Sequence, residues 1–539
     1  MHDDKFSKGS RGEFRGDFTR DTFDPLRNFS RVLMQQGRVQ LDADWNEQVS
    51  ILLHYMRQLG KDLMGPHGAP YPDDYKESPL NDFENFKIKP YSKQDSQPDF
   101  SIAPGRYYVD GICCENEKKE DGKEFTFRNQ HNELFIDEEL KNGQDYLVYL
   151  DVWERHLSYV EDDYIREKAL GGADTATRAQ IVWQVKVMHG EDFKKVNVSL
   201  DKLKKIANGP DLPYSLFLRA LTAAKKTNPG TGQLKARAKK ASEDDNKPCL
   251  TAPEASYRGA ENQLYRVEIH NGSVDEDGPT FKWSRENGSV IFPIFDISGD
   301  TITLEHLGRD DRFGLQPGDW VEVLDDDVIL RNEANPLLKV TAIDRESLQV
   351  TLTLNGDAAT TELLAKIGAN LIKKHPYLRR WDQKKGVNKE GVVPVIEGYG
   401  ENDWIVLEDG VEIQFYKILN EKIAAAIEAA GREAVEREVV GREAVARERE
   451  MAVAVARGIV AEDLNSNHSV YQTGDYWLIP ARTATEDVEW PQDENGNPIA
   501  LSPQGVEHHY APLAIITVND DVVVDDPTDL RRQLQKGWV

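Results

Sequence analysis

The chain has 539 residues, 94 acidic against 67 basic side chains and a formal net charge of −27. That balance argues against a nucleic-acid binder, because phosphate backbones demand clustered Lys and Arg. The length exceeds the size at which one core stops growing, so roughly two to four folding units are expected. No long uninterrupted apolar run is present, and the first 20 residues alternate charges. This predicts a protein with neither a membrane span nor an amino-terminal export signal, assembled in the cytoplasm or carried on a particle. Cys113, Cys114 and Cys249 make a poor disulfide framework and have no partners at metal-ligand spacing, which predicts a reducing compartment and no metal.

Residues 1–15 are polar and Gly-rich, a composition that orders only on binding. From Arg27 to about Met64 the chain reads mostly as helix, with Asp42 or Asp44 available as a cap. Leu41, Trp45, Val49, Leu52, Leu53, Met56, Leu59 and Leu63 recur at three- and four-residue steps and form one apolar stripe. That stripe requires a partner, either this chain's own sheets or another subunit. Residues 1–66 are therefore read as an arm and helix, ended by Gly65-Pro66.

Residues 84–189 carry short runs of β-branched and aromatic residues, among them Tyr146–Trp153 and Ile181–Val187, and predict a β-domain. The polar stretch Tyr164–Arg178 between those two strands reads as an exposed connection. Residues 190–248 are Lys-rich and read as a partly helical, exposed linker or insertion with a mobile Asn-Pro-Gly tip. Residues 249–372 read as a hairpin-rich β-domain. Glu286-Asn287-Gly288 is the expected turn between Thr280–Ser284 and Ser289–Phe292, since Asn-Gly tolerates positive φ. Leu315–Leu324, Leu337–Asp344 and Leu348–Leu352 resemble strands of a small closed barrel. Residues 373–539 read as a C-terminal β-domain interrupted by the Ala-, Glu- and Arg-rich segment 418–460, either a coiled-coil or docking arm or a solvated helix. The fold class expected is thus mainly β with α, in several antiparallel sandwich or small-barrel units.

Carboxylate groups occur at Asp42 and Asp44, Asp162 and Asp163, and Asp325-Asp326-Asp327, as an acidic composition alone would produce. His508 and His509 are adjacent, and neighbours on a strand point to opposite faces, so a structural role is expected for both. No nucleotide-binding, hydrolase or metalloprotease motif is present; no catalytic residue, cofactor or metal is expected. Of the ten tryptophans most fall in β-runs and read as core, whereas Trp381, Trp490 and Trp538 sit in looser contexts. The basic run Lys373–Trp381, with Arg380 and Trp381, could meet acidic surface on a neighbouring subunit.

Several blocks carry a resemblance: Gly16-Asp17-Phe18-Thr19-Arg20, Leu33–Glu47, Tyr257-Arg258-Gly259, Glu261–His270, Phe281–Arg285, Gly474–Thr485 and His508–Ala514. The chain resembles a bacterial family of large β-rich proteins that accompany phage-tail-like contractile injection systems. The resemblance implies a particle component near a baseplate, fibre or outer surface, contacting other particle subunits and forming a homo-oligomer within the assembly. It brings no catalytic residues, and the 418–460 segment departs from it. Gly16–Glu47 is then the expected subunit contact, through Phe18, Arg20, Phe23, Phe29, Arg31, Gln35, Gln36, Arg38 and Trp45, with Arg380 and Trp381 as a second patch. The alternatives are a glycan-binding or glycan-hydrolysing protein, with tryptophan platforms beside Glu154 or Asp325 and a host-surface glycan as ligand, and a cargo carried by the particle.

Overall fold

The computed structural model describes residues 14–70, 84–91, 97–119, 122–131, 139–190, 214–223, 230–239, 256–273, 278–310, 312–354, 357–416, 469–519, 522–523, 527–532 and 534. Cys249, Trp538, the 418–460 segment, the Asn228-Pro229 tip and residues 1–13 lie outside the described residues. The protein is mainly β, with several antiparallel sheets and few helices. It divides into two compact units, neither of them contiguous in sequence.

The larger unit takes residues 8–229, 284–382 and 504–539. Its centre is the strand Gln144–Leu157, paired antiparallel with Arg178–His189 on one side and with His509–Asn519 on the other. Side chains alternate along a strand, so the two faces of this sheet bury different sets. Tyr146, Val148, Leu150 and Val152 join Phe86, Phe100, Tyr107, Val109 and Phe127 of two smaller sheets in one sandwich core. Leu147 and Tyr149 face the other way, onto Phe217, Ala220 and Leu221 of the helix Tyr214–Ala223. The connection 164–178 is largely exposed and carries short helical turns at Asp163–Ile165 and Lys168–Leu170.

The same unit contains a closed six-stranded antiparallel barrel. Its strands follow one another as Ile291–Ser298, Thr301–Leu304, Gln349–Thr353, Leu337–Asp344, Trp320–Leu324 and Tyr377–Trp381, the last pairing back to the first. Phe292, Ile302, Val321, Val340, Val350 and Leu378 fill it, and the helix Ala358–Gly368 adds Leu364 and Ile367. The barrel expected around Leu315–Leu352 is present, extended by strands on both sides.

The smaller unit takes residues 230–283 and 383–503. A five-stranded sheet centred on Gln263–Asn271, flanked by Thr280–Ser284 and Tyr476–Arg482, packs on a four-stranded sheet centred on Val411–Tyr416. Tyr265, Val267, Phe281, Trp477 and Ile479 meet Leu234, Ala236, Ile413 and Phe415.

Three sequence expectations are corrected. The Asn287-Gly288 turn forms, with φ of 53° and 67°, but the flanking strands do not pair; they enter different sheets, because turn chemistry specifies local dihedrals and not strand partners. The Lys-rich 190–248 segment is not simply an exposed linker. Gln233–Ala238 pairs with Val411–Tyr416 and buries Leu234 and Ala236, its alternating small apolar residues being a strand pattern. Finally, the C-terminal region is not one domain, since its strands return separately to partners near residues 265 and 150.

In the smaller unit Asp475 is buried, accepts from the Gln472 amide at 3.0 Å, and burial pushes its carboxyl up to about 7. A carboxyl whose folded pKa exceeds its unfolded value holds a proton that the unfolded chain releases, so its contribution declines as pH rises from about 4 to about 7. Asp475→Asn is expected to be more stable than the parent at pH 8 and to flatten that dependence in thermal melts across pH 4–8. An unchanged profile would contradict this assignment.

Candidate functional site

The chain enters the larger unit through Asn287, whose side-chain amide donates to the carbonyls of Phe14 and Gly16, each at 3.0 Å. Asp24 then accepts from the Leu26 amide and starts a single helical turn at Pro25–Arg27. Residues 28–41 are non-helical, contrary to the expectation of a helix from Arg27. A tight turn at Gln36-Gly37, with Gly37 at φ 72° and the Arg38 amide donating to Gln35, interrupts them. The arm helix itself runs Asp42–Met64. Asp42 does not cap it; Leu41 is the boundary residue, and Asp42 instead accepts from the Thr19 amide and hydroxyl. Thr22 donates to Glu47 at 2.6 Å and the Val32 amide to Gln48 at 2.8 Å, so residues 19–32 lie along one flank of the helix.

The arm helix is turned inside out. Ala43 and Ile51 are its only buried residues, and its half-buried positions are polar apart from Gly60 and Met64. Arg57 makes a two-pronged pair with Glu154, at 2.9 and 3.0 Å, and Lys61 binds Asp110 at 2.8 Å. Gly60 sits where an added Cβ would lie 3.2 Å from the Cα of Gly111, and Gly111, at φ 81°, lies against the Arg57 carbonyl, so helix and turn meet backbone to backbone. The outer face carries Leu41, Trp45, Val49, Leu52, Leu53, Met56, Leu59 and Leu63, between 39% and 74% exposed. Leu26, Phe29, Leu33, Met34 and Val39 extend this surface along the non-helical stretch. Monomeric proteins rarely expose contiguous apolar patches of more than a few hundred Å².

Among the other residues expected at a contact, Arg31, Gln35, Gln36 and Arg38 are exposed with Phe29 and Trp45, while Phe18 and Arg20 are half-buried. Phe23 is buried, its ring centroid 5.7 Å from that of His54 on the arm helix, and so anchors the arm internally. Arg380 and Trp381 are corrected outright: both are buried in the barrel strand Tyr377–Trp381. Arg380 pairs with Glu286 and Asp382 and donates to the carbonyls of Arg312 and Gly314, and the Trp381 indole donates to Glu322 at 2.9 Å. Trp490 is buried as well.

The acidic groups are committed to structure. Glu154 holds Arg57. Asp325 caps the short helix Asp326–Arg331, Asp326 pairs with Arg155 and His375, and Asp327 binds Lys374. Asp162 caps a helical turn and Asp163 pairs with Arg166. Cys113 and Cys114 are free thiols, and burial pushes that of Cys114 up. No cluster of metal-ligating side chains occurs among the described residues.

A second grouping was missed in the sequence. His508 precedes the strand that begins at His509, so strand alternation does not separate the two, and both line a cleft of about 400 Å³ with Arg57, Lys61, Tyr214 and Tyr510. His508 Nδ1 lies 2.7 Å from Asp151, which also binds Lys186, and His509 Nδ1 lies 3.0 Å from Asp110. Burial would raise the Asp151 carboxyl, yet the His508 and Lys186 charges hold it well below the usual range; His509 and Lys61 likewise lower Asp110 against its burial. Each carboxylate fixes one imidazole and leaves its Nε2 for other partners. The cleft lining includes neither serine nor cysteine, and burial keeps the Tyr214 and Tyr510 hydroxyls protonated.

Two outcomes follow from these pairs. Glu154→Gln should cost about 1–2 kcal/mol, seen as faster hydrogen exchange across 42–64 with barrel amides unchanged; equal acceleration in the barrel would refute a local tether. Asp151→Asn should lower stability at neutral pH by roughly 2–3 kcal/mol. A depressed carboxylate stabilises above its unfolded pKa, so the parent should lose this increment as pH falls below about 4 and the variant should not, as urea titrations at pH 3 and 7 would reveal.

No helix among the described residues is long and apolar enough to cross a membrane. No curated protein and no solved structure matches the chain. A family model does, over residues 14–211, 210–418 and 448–526, thus including the arm, both units and both members of the histidine pair. The chain belongs to the family of unknown function DUF6519.

Proposed function

We propose that the protein is an assembly subunit of a phage-tail-like contractile injection particle, at a baseplate, fibre or surface position, and that the arm is its docking element. The observation that carries the assembly reading is the orientation of the arm helix, whose Arg57 and Lys61 bind its own body while its leucines face solvent. Burial of a leucine is worth about 1.5–3 kcal/mol, so an apolar stripe held outward is stabilised only when another surface covers it. The choice of particle rests on the blocks Gly16–Arg20 and Leu33–Glu47, which belong to this same arm. Other particle subunits are the partners, and no chemistry is assigned to the protein. A cytoplasmic site of assembly accompanies this reading.

The glycan alternative loses its motivating features. Trp153, Trp183, Trp283, Trp320, Trp381, Trp477 and Trp490 are buried, Trp404 lies beneath the Arg237 guanidinium, and Glu154 and Asp325 are engaged in a salt bridge and a helix cap.

Replacing Leu33 and Met34, 70% and 49% exposed, by Asp should leave the melting temperature within a few degrees, because neither side chain contributes to a core. The same variant should lose co-sedimentation with sheathed particles from the producing cell. Undiminished pelleting of the substituted protein would sink the proposal.

A further inference from the structure

The outer face of the arm helix has a regularity beyond amphipathicity. Trp45, Val49, Leu52, Met56, Leu59 and Leu63 follow at steps of 4, 3, 4, 3 and 4 residues. In heptad notation Trp45, Leu52 and Leu59 fall at d, and Val49, Met56 and Leu63 at a, the pattern of a helix–helix seam. We infer that this seam docks against the same seam of a second copy of the chain, a deepening of the docking role proposed above.

Five observations select that occupant. The seam period of 3.5 residues is matched by a helix with the same repeat, and its own copy supplies one. The flanking e and g positions, Asn46, Gln48, Leu53, Tyr55, Gly60 and Asp62, include one ionisable side chain, so two chains of net charge −27 can approach along it without opposed charges. The Arg and Lys side chains of the helix, Arg57 and Lys61, are turned to the body and held there by Glu154 and Asp110, away from the contact. In area, six seam residues 42–74% exposed offer roughly 100 Å² each, and Leu53 and Tyr55 bring the total near the ~800 Å² per partner of a standard interface. A β-branched Val49 at a with Leu52 and Leu59 at d favours two strands.

The test is sedimentation equilibrium of the full chain at about 50 μM, a concentration at which a micromolar dimer is populated. The parent should sediment at twice its 61.1 kDa mass. Leu52→Asp combined with Leu59→Asp should sediment as a monomer with an unchanged melting temperature, since both leucines are more than half exposed in the monomer. A parent chain that sediments as a monomer overturns the inference, as does a dimer that survives the double substitution. These results are independent of the particle experiment with the Leu33 and Met34 variant. A monomer whose pelleting depends on those residues would refute the seam alone, and a seam-dependent dimer that never pellets would refute the particle reading alone.

Discussion

The rotation of the arm helix about its own axis is the constraint from which its exposed surface follows. Side chains advance about 100° per residue, so once Arg57 and Lys61 are fixed to Glu154 and Asp110, the positions on the far side are determined. An added Cβ at Gly111 would lie 2.3 Å from the Arg57 carbonyl, which excludes a larger residue there, and the Gly60–Gly111 contact brings the helix within backbone distance of the Gly105–Asn116 hairpin. Rolling the helix to bury its leucines would detach a two-pronged guanidinium–carboxylate pair between side chains only 12–13% exposed, leaving both charges unmatched. Exposure of the apolar stripe is thus enforced by the polar anchor.

The anchors are supplied by the most extensively paired part of the molecule. Glu154 lies on the strand Gln144–Leu157, whose twelve-residue ladder with Arg178–His189 is flanked by His509–Asn519 returning from the end of the chain. Asp110 serves two elements, Lys61 of the arm and His509 of that returning strand. The arm, the hairpin and the C-terminal strand are therefore coupled through one half-buried carboxylate, which burial would raise and its interactions with His509 and Lys61 lower. The folded position of the arm depends on residues almost 450 positions downstream in the sequence.

Strand identity was legible wherever side chains alternated or ran β-branched, as in Tyr146–Trp153, Gln263–His270 and the barrel strands, because those patterns fit a pleated surface irrespective of partner. The stripe from Leu41 to Leu63 was equally legible, but the identity of its exposed side was not, since periodicity gives a face and not its direction. Arg380 and Trp381 read as surface because Arg and loosely placed Trp usually are; here Glu286 and Glu322, distant in sequence, together with the adjacent Asp382, neutralise or accept from them. The strand Gln233–Ala238 was hidden by the lysines around it, and the histidine pair by the location of a strand boundary between its members.

Both units place ionic groups inside: Arg266, Glu268 and Lys282 in one, Arg380, Glu286 and Asp382 in the other. Buried pairs of this kind add little net stability, and such charges tolerate few alternative arrangements because each needs its partner. The arm reverses the distribution, with charge inward and leucine outward. A surface of that kind could have been carried on a flexible tail, but ordering a tail on association costs about 1–2 kcal/mol per residue. Holding the helix rigid on the sheet removes that cost before any partner arrives, so the apolar area becomes available as affinity. Under the docking role proposed above, the ion pairs at Arg57 and Lys61 act as preorganisation: they contribute modestly to the isolated fold and would contribute to a complex that covers the seam.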